Sequence, residues 1–306
     1  MTGSRLIRVV AISLSVVVVG CGAEVSATDS LGAATGAPRG SAPASTSAPV
    51  ESAATRTATP SSKVSEAPSG AANDLVVVSL GDSWPAGGHC DGCRTYAGRY
   101  ADDLAATSGR HVEFIDLARS VVPETKRGAT ADSLLVDLRE REAIREAVAT
   151  GDIILVSVGL NTLDEGALDA YLAGTCGGAD GADCFRMLGP RWRTAFGGIL
   201  DEIEILRGDR PTAIRLVTAQ NVFLDPSFAA DFGPDFAMDQ GALVVGLLAD
   251  AMCESGAAHH VPCIDVRPIL NGPTLDRAVD ENSDASHQAV ADALIESGLD
   301  ELGIEP

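Results

Sequence analysis

Five short apolar runs, rich in β-branched residues, recur along the chain at residues 75–80, 112–117, 153–158, 213–218 and 261–266. Stretches with helical spacing lie between them. Tyr96, Tyr100 and Leu104 repeat every fourth position, and Leu134, Leu135, Leu138, Ile144, Ala147 and Val148 line one face of a single long charged helix. Trp192, Phe196, Ile199, Ile203 and Leu206 precede the fourth run; Leu243, Val244, Leu247, Leu248 and Met252 precede the fifth. A last helix is predicted over about residues 288–297, closed by Gly298. Continuous apolar strands are buried on both faces, and strands alternating with helices form a parallel sheet covered on both sides. The pattern predicts an α/β fold, a three-layer α/β/α sandwich around a five-stranded parallel sheet. Ligands of such sheets bind at the carboxyl ends of the strands.

The first residues do not belong to this plan. Arg5 and Arg8 precede an apolar stretch, residues 9–20, interrupted only by Ser13 and Ser15 and too short to span a bilayer as an ordinary helix. It ends in Val18-Val19-Gly20-Cys21. Small residues before a Cys at the end of such a run resemble a bacterial lipoprotein cleavage site, where the Cys is acylated and becomes the new N-terminus. Residues 1–20 are therefore read as a signal peptide and Cys21 as the lipidation site. The other reading is an ordinary secretory signal in which Cys21 is incidental. Residues 21–73 are dominated by Ala, Ser, Thr, Gly and Pro, with no aromatic residue. Such a composition buries too little apolar area to offset chain entropy, which predicts a disordered tether. The folded domain is expected over residues 74–306, outside the cytoplasm and held at the membrane surface by a lipid anchor.

Cysteine usage fits that address. Without Cys21, six remain: Cys90, Cys93, Cys176, Cys184, Cys253 and Cys263. An even number in an exported domain implies three disulfides, and the spacing favours pairing of sequence neighbours, each closing a short loop. The single C-x-x-C offers only two ligands, so no metal site is expected from it. The 22 basic residues face 43 acidic ones, a formal charge of −21 with no basic run. That surface repels phosphate backbones and argues against nucleic acid as a partner. A monomer is expected.

The chemistry gathers at strand ends. The first run stops at Gly81-Asp82-Ser83, followed by a turn containing Trp84, Pro85, Gly87 and Gly88, which presents one hydroxyl at a sheet edge. A Ser hydroxyl is a poor nucleophile until a base takes its proton. Of five histidines, His89 lies in the turn after Ser83, His111 opens a strand, and His259 and His260 sit in a solvated loop. His287 closes Asp284-Ala285-Ser286-His287 after the last strand. An Asp three residues before a His can accept one ring proton and aim the other nitrogen outward. The third run leads to Val158-Gly159-Leu160-Asn161, where the Asn161 amide is a donor for an oxyanion or, alternatively, an Asx turn. Gly128 precedes a helix start, whose free N–H is a further donor.

These four segments, taken together and in this order, resemble the SGNH hydrolases, the GDSL esterases and lipases, over residues 75–299. The resemblance implies that Ser83 is the nucleophile, His287 the general base and Asp284 its partner. It implies an oxyanion hole made by the Ser83 backbone N–H, the Gly128 N–H and the Asn161 amide, with no metal or organic cofactor. Two departures stand out. Thr162 follows Asn161 where the family usually has Asp. No Gly follows the second strand directly, where Ala118-Arg119-Ser120-Val121 stands, so the role passes to Gly128 with Ser120 as the fallback. The expected function is an extracytoplasmic serine ester hydrolase acting on a lipid acyl ester or an acetylated glycan. The alternative is a non-catalytic binding or structural lipoprotein on the same fold.

Overall fold

The computed structural model describes residues 74–87, 92–122, 128–226, 232–278, 280 and 282–304. The expected signal peptide, Cys21 and the tether lie outside these residues. All five apolar runs form strands: β1 (Asp74–Gly81), β2 (His111–Asp116), β3 (Ile153–Ser157), β4 (Ala213–Val217) and β5 (Cys263–Ile264). Every pairing is parallel, in the order β2-β1-β3-β4-β5. The helices are α1 (Tyr96–Ser108), α2 (Ala131–Glu140), α3 (Glu142–Thr150), α4 (Glu165–Leu172), α5 (Asp183–Arg186), α6 (Leu188–Arg207), α7 (Ala242–Ala258), α8 (Arg267–Leu270) and α9 (Asp284–Glu296).

The alternation of side chains along each strand separates two cores. Val78, Leu80, Ile154 and Val156 face a layer built from α2, α3, α6 and α7. Leu75, Val77, Ile153 and Leu155 face α1 and α9. This is the expected three-layer arrangement. The chain runs from β1 outward to β2 and then returns to place β3 on the other side of β1. The strand order therefore reverses between β1 and β3, and a crevice opens there beyond the carboxyl ends of the strands.

Three local expectations are corrected. The single helix predicted around residues 134–148 is two helices, because Arg141 is extended at φ −90° and ψ 109°. The carbonyls of Leu138 and Arg139 lose helical partners there, and Arg145 Nη1 donates to both at 3.0 and 3.1 Å. The fifth strand keeps only two residues. Pro262 has no N–H to extend it, and Asp265 Oδ1 accepts the Arg267 N–H at 3.0 Å, turning the chain into α8. The last helix starts four residues earlier than predicted, at Asp284, because Ser283 caps it: its Oγ accepts the Ser286 N–H at 3.2 Å.

Two disulfides close as their spacing implies, Cys176–Cys184 and Cys253–Cys263. Cys93 is also disulfide-bonded, and Cys90 lies outside the described residues. The Cys-bracketed loop at residues 175–184 is anchored in the core at Cys176, Ala182 and Cys184, buried beside Phe185, while residues 177–180 are exposed.

One charge sits inside an otherwise apolar strand. Arg215 is 1% exposed and makes two bonds to the Glu301 carboxylate, at 2.8 and 3.0 Å, while also donating to Ser297 Oγ and to the Gly298 carbonyl. It ties β4 to the C-terminal segment after α9. Replacing Arg215 with Met leaves Glu301, whose side chain is 36% exposed, partly able to rehydrate. A loss of about 3 kcal/mol in urea unfolding is expected, at the lower end for breaking a buried pair.

Candidate active site

Ser83 follows β1 and Asn161 follows β3, so both stand at the crevice where the strand order reverses. The backbone leading to Ser83 is unusual. Gly81 has φ +147°, and a Cβ there would lie 1.7 Å from the Ser157 carbonyl oxygen. Only Gly allows β1 to end this close to β3. The next N–H, of Asp82, donates to the same oxygen at 3.1 Å.

The Asp82 side chain then ties the two strand ends together. Its Oδ2 accepts the Gly159 N–H at 2.8 Å and its Oδ1 accepts the Trp84 N–H at 3.3 Å. One carboxylate thus spans the turn that carries Ser83 and the segment that carries Asn161. Asp82 is 7% exposed, and burial pushes its carboxyl up to about 6 against the pull of these N–H bonds. A raised carboxyl pKa favours the fold below the unfolded value of 3.8, and that advantage is lost as pH rises through about 6. The loss is about 3 kcal/mol, at about 1.4 kcal/mol per pH unit. Urea unfolding from pH 4 to pH 7 is expected to show this decline in the native protein relative to Asp82→Asn, which has no proton to lose. Parallel curves for the two proteins would contradict it.

The oxyanion residues expected from separate segments meet. A Cβ built on Gly128 would lie 2.2 Å from Asn161 Nδ2, so the Gly128 backbone and the Asn161 amide are in contact. A capping box fixes the α2 end of this contact. Thr130 Oγ1 accepts the Ser133 N–H at 3.1 Å, and Ser133 Oγ accepts the Thr130 N–H at 2.8 Å. Thr162 fixes the other end. Its Oγ1 accepts the Ala131 N–H at 3.1 Å, and its carbonyl accepts from Trp192 Nε1 at 3.3 Å. Thr162 joins the 3-10 turn Leu160–Thr162 to the start of α2. Asn161 is exposed at the tip of that turn.

Asp284 and His287 do not form the expected pair. Both lie in the first turn of α9 rather than in a loop before it. His287 is fully buried and continues the inward face of Val290, Ala291 and Leu294. Its Nδ1 accepts the Tyr96 N–H at 3.1 Å, and its Nε2 has no hydrogen-bond partner among the described residues. The Asp284 side chain is 77% exposed and pairs with Arg99, which also donates to Gln288. The physical reason is helical phase. Residues three apart on a helix are neighbours about 60° apart in direction. His287 lies at the middle of the buried face, while Asp284, the first residue of α9, lies toward its edge and turns to Arg99 at the surface. The signal was present in the sequence: His287, Val290, Ala291 and Leu294 follow the i, i+3, i+4, i+7 spacing of a buried helix face.

Among the described residues, one group could bring three metal-ligating atoms within 4.8 Å of one another: Asp201, Glu204 and His259. The His259 ring lies between the two carboxylates, 2.9 Å from Glu204 and 3.8 Å from Asp201. It lies beside the starts of β4 and β5, at the opposite edge of the sheet from Ser83.

No family model matches the chain, and no curated protein matches it. Solved structures do. The lipase Lip_vut3 from a goat rumen metagenome superposes with a TM-score of 0.57 at 18% identity, covering 74% of this chain and 98% of that one. The chain shares the fold of that lipase. A lipase/acylhydrolase from Enterococcus faecalis covers 73% of this chain and 94% of its own at 18% identity, with a TM-score of 0.47. An acetylxylan esterase variant from Geobacillus stearothermophilus covers 76% and 95% at 12% identity, with a TM-score of 0.45. At this site the residue whose part was not foreseen is Asp82. An Asp between Gly and Ser at a strand end is a local signal for an Asx-type bond to Trp84; its bond to Gly159, 77 residues away, is not local.

Proposed function

We propose that the chain is an ester hydrolase in which Ser83 is the nucleophile, acting outside the cytoplasm from a lipid anchor at Cys21. One observation carries the reading: Asp82 joins the Ser83 turn to the Gly159–Asn161 segment, and Gly128 touches the Asn161 amide. Ser83 Oγ attacks the ester carbonyl while His287, the base that the resemblance implies, takes its proton and then returns it to the leaving alcohol. The developing oxyanion is held by the Ser83 N–H, the Gly128 N–H and the Asn161 amide. The alcohol leaves, and water releases the acyl group. The two described disulfides support an oxidising compartment. The tether of residues 21–73 would let the domain reach acyl esters of lipids or glycans at a membrane surface.

Labelling with a serine-directed fluorophosphonate, read as a mass increase on the peptide containing Ser83, tests the nucleophile. Rates on acetyl, hexanoyl and long-chain aryl esters then separate a glycan deacetylase from a lipid acyl hydrolase. Single Ala replacements of the five histidines locate the group that takes the Ser83 proton.

A second reading, a binding lipoprotein with a lapsed site, is favoured by one observation: Asp284 is engaged by Arg99 and makes no bond to His287. Folded protein that resists fluorophosphonate and hydrolyses none of the esters would select it.

A further inference from the structure

We propose that Arg99 is a positioning residue of this site: it draws Asp284 away from His287 in the unliganded protein, and an anionic group that takes over Arg99 lets Asp284 move to the imidazole. The guanidinium is held at three points. It pairs with Asp284, its Nη1 donates to Gln288 Oε1 at 3.2 Å, and its Nε donates to the Arg94 carbonyl at 2.9 Å. Asp284 and Gln288 belong to α9 and Arg99 to α1, so the pair bridges two helices that share one core. Asp284 and His287 are neighbours three residues apart on α9. The carboxylate thus has two partners within reach, Arg99 and the His287 ring, and in this structure it is on the first.

The two positions of Asp284 leave the imidazole in different states. With Asp284 on Arg99, Nδ1 accepts the Tyr96 N–H at 3.1 Å, so the neutral ring carries its proton on Nε2 and cannot take another there. With Asp284 on the ring, the proton sits on Nδ1, held by the carboxylate, and Nε2 gains the lone pair that a base needs. That move leaves Arg99 with two neutral acceptors among the described residues, Gln288 Oε1 and the Arg94 carbonyl. Its charge then faces a polar recess of about 520 Å³ lined by Gly92, Cys93, Arg94, Arg99, Asn282 and Asp284. Arg94 is a second cation there, paired with Asp102. The recess without Asp284 is a seat for an anion: a carboxylate or phosphate borne by the ester, or a free anion of the same chemistry. An anion that binds Arg99 better once Asp284 has left favours, by linkage, the completed Asp284–His287 pair. Burial, and next the Arg99 charge, also push the ring below its ordinary pKa, against the opposing pull of Asp284 and Asp280. Trp84 and Tyr96 are the rings stacked on it.

The inference rests on the ester-hydrolase reading with His287 as base. Arg99→Gln removes the competing charge. At about pH 8, above the ordinary His pKa, this variant labels with a neutral fluorophosphonate about fivefold faster than the native protein, the scale of a surface ion pair. Its acid limb moves to higher pH, because losing Arg99 and gaining Asp284 both raise the ring's pKa. The gain disappears when Asp284→Asn is added, since Arg99 acts through Asp284. The native protein tests the anion without any substitution. Inorganic phosphate at constant ionic strength speeds its hydrolysis of an aryl acetate, or an aryl hemisuccinate is favoured over the acetate in phosphate-free buffer, and Arg99→Gln loses the effect. The first result assigns the anion to the medium and the second to the substrate. Arg99→Gln that labels no faster, a gain that survives Asp284→Asn, or a native protein indifferent to both anions overturns the proposal. If the native protein neither labels nor hydrolyses these esters, the ester-hydrolase reading fails and nitrogen NMR of the His287 ring decides. A proton that moves from Nε2 to Nδ1 in Arg99→Gln supports the hold of Arg99 on Asp284, and an unchanged ring overturns it.

Discussion

Replacing Ser83 with Ala is expected to abolish covalent labelling and to lower aryl-ester hydrolysis by about 10⁴-fold or more, leaving the fold intact. The magnitude follows from removing the attacking atom itself. Without a nucleophile, an intact oxyanion hole and binding site retain only a residual acceleration over water. The fold should not notice. Ser83 is half-buried on a turn held by its neighbours: Asp82 bonds to Gly159 on one side, and Trp84 packs on Tyr96 on the other. Surface changes of this kind stay within about 0.5 kcal/mol. The check is paired: intact-protein mass after fluorophosphonate, and melting of the same samples. Hydrolysis that survives at the native rate in a folded Ala variant would remove Ser83 from the chemistry and with it the proposed function.

Gly81→Ala is expected to be the most disruptive single methyl in the described structure. The added Cβ would stand 1.7 Å from the Ser157 carbonyl oxygen, and φ is +147°, a region that residues with a side chain rarely enter. Relief by a small shift is blocked. Gly81 pairs with Ser157 across β1 and β3, and the Asp82 N–H holds the same oxygen at 3.1 Å. Moving that carbonyl would open the sheet at its switch point and release the Asp82 bridge to Gly159. A loss of about 4 kcal/mol or more is expected, at the exceptional end for a single substitution. Any folded fraction should label poorly, because the turn that aims Ser83 starts at this residue. A Gly81→Ala protein that melts with the native protein and labels at the native rate would contradict the close approach of β1 and β3.

Local pattern carried far in this chain. A strand of 5–8 buried residues needs only a run of apolar side chains, and a helix needs only their periodic return, so β1 to β4 and the faces of α1, α6 and α7 could be read directly. Gly81-Asp82-Ser83 was legible for the same reason: a strand, a break and one polar hydroxyl are adjacent in the chain. So were the disulfides Cys176–Cys184 and Cys253–Cys263, whose short loops bring their ends together at small entropic cost.

Tertiary structure alone decided which neighbours these elements acquired. Nothing in the runs themselves states that β1 lies between β2 and β3, yet that order sets the turn that carries Ser83 beside the segment that leads to Asn161. The bond from Asp82 to Gly159 depends on it, as does the contact of Gly128 with Asn161. The fate of Asp284 and His287 is the clearest instance. Asp-x-x-His describes two residues close in sequence, and chemistry needs to know which way each one points. A Ser283 cap drew both into α9, α9 packed on α1, and that packing turned His287 toward Tyr96 and left Asp284 to Arg99. Composition and spacing determine elements because the forces that make them are local. Side-chain direction at a site follows from packing between elements distant in the chain, and only the assembled fold supplies that.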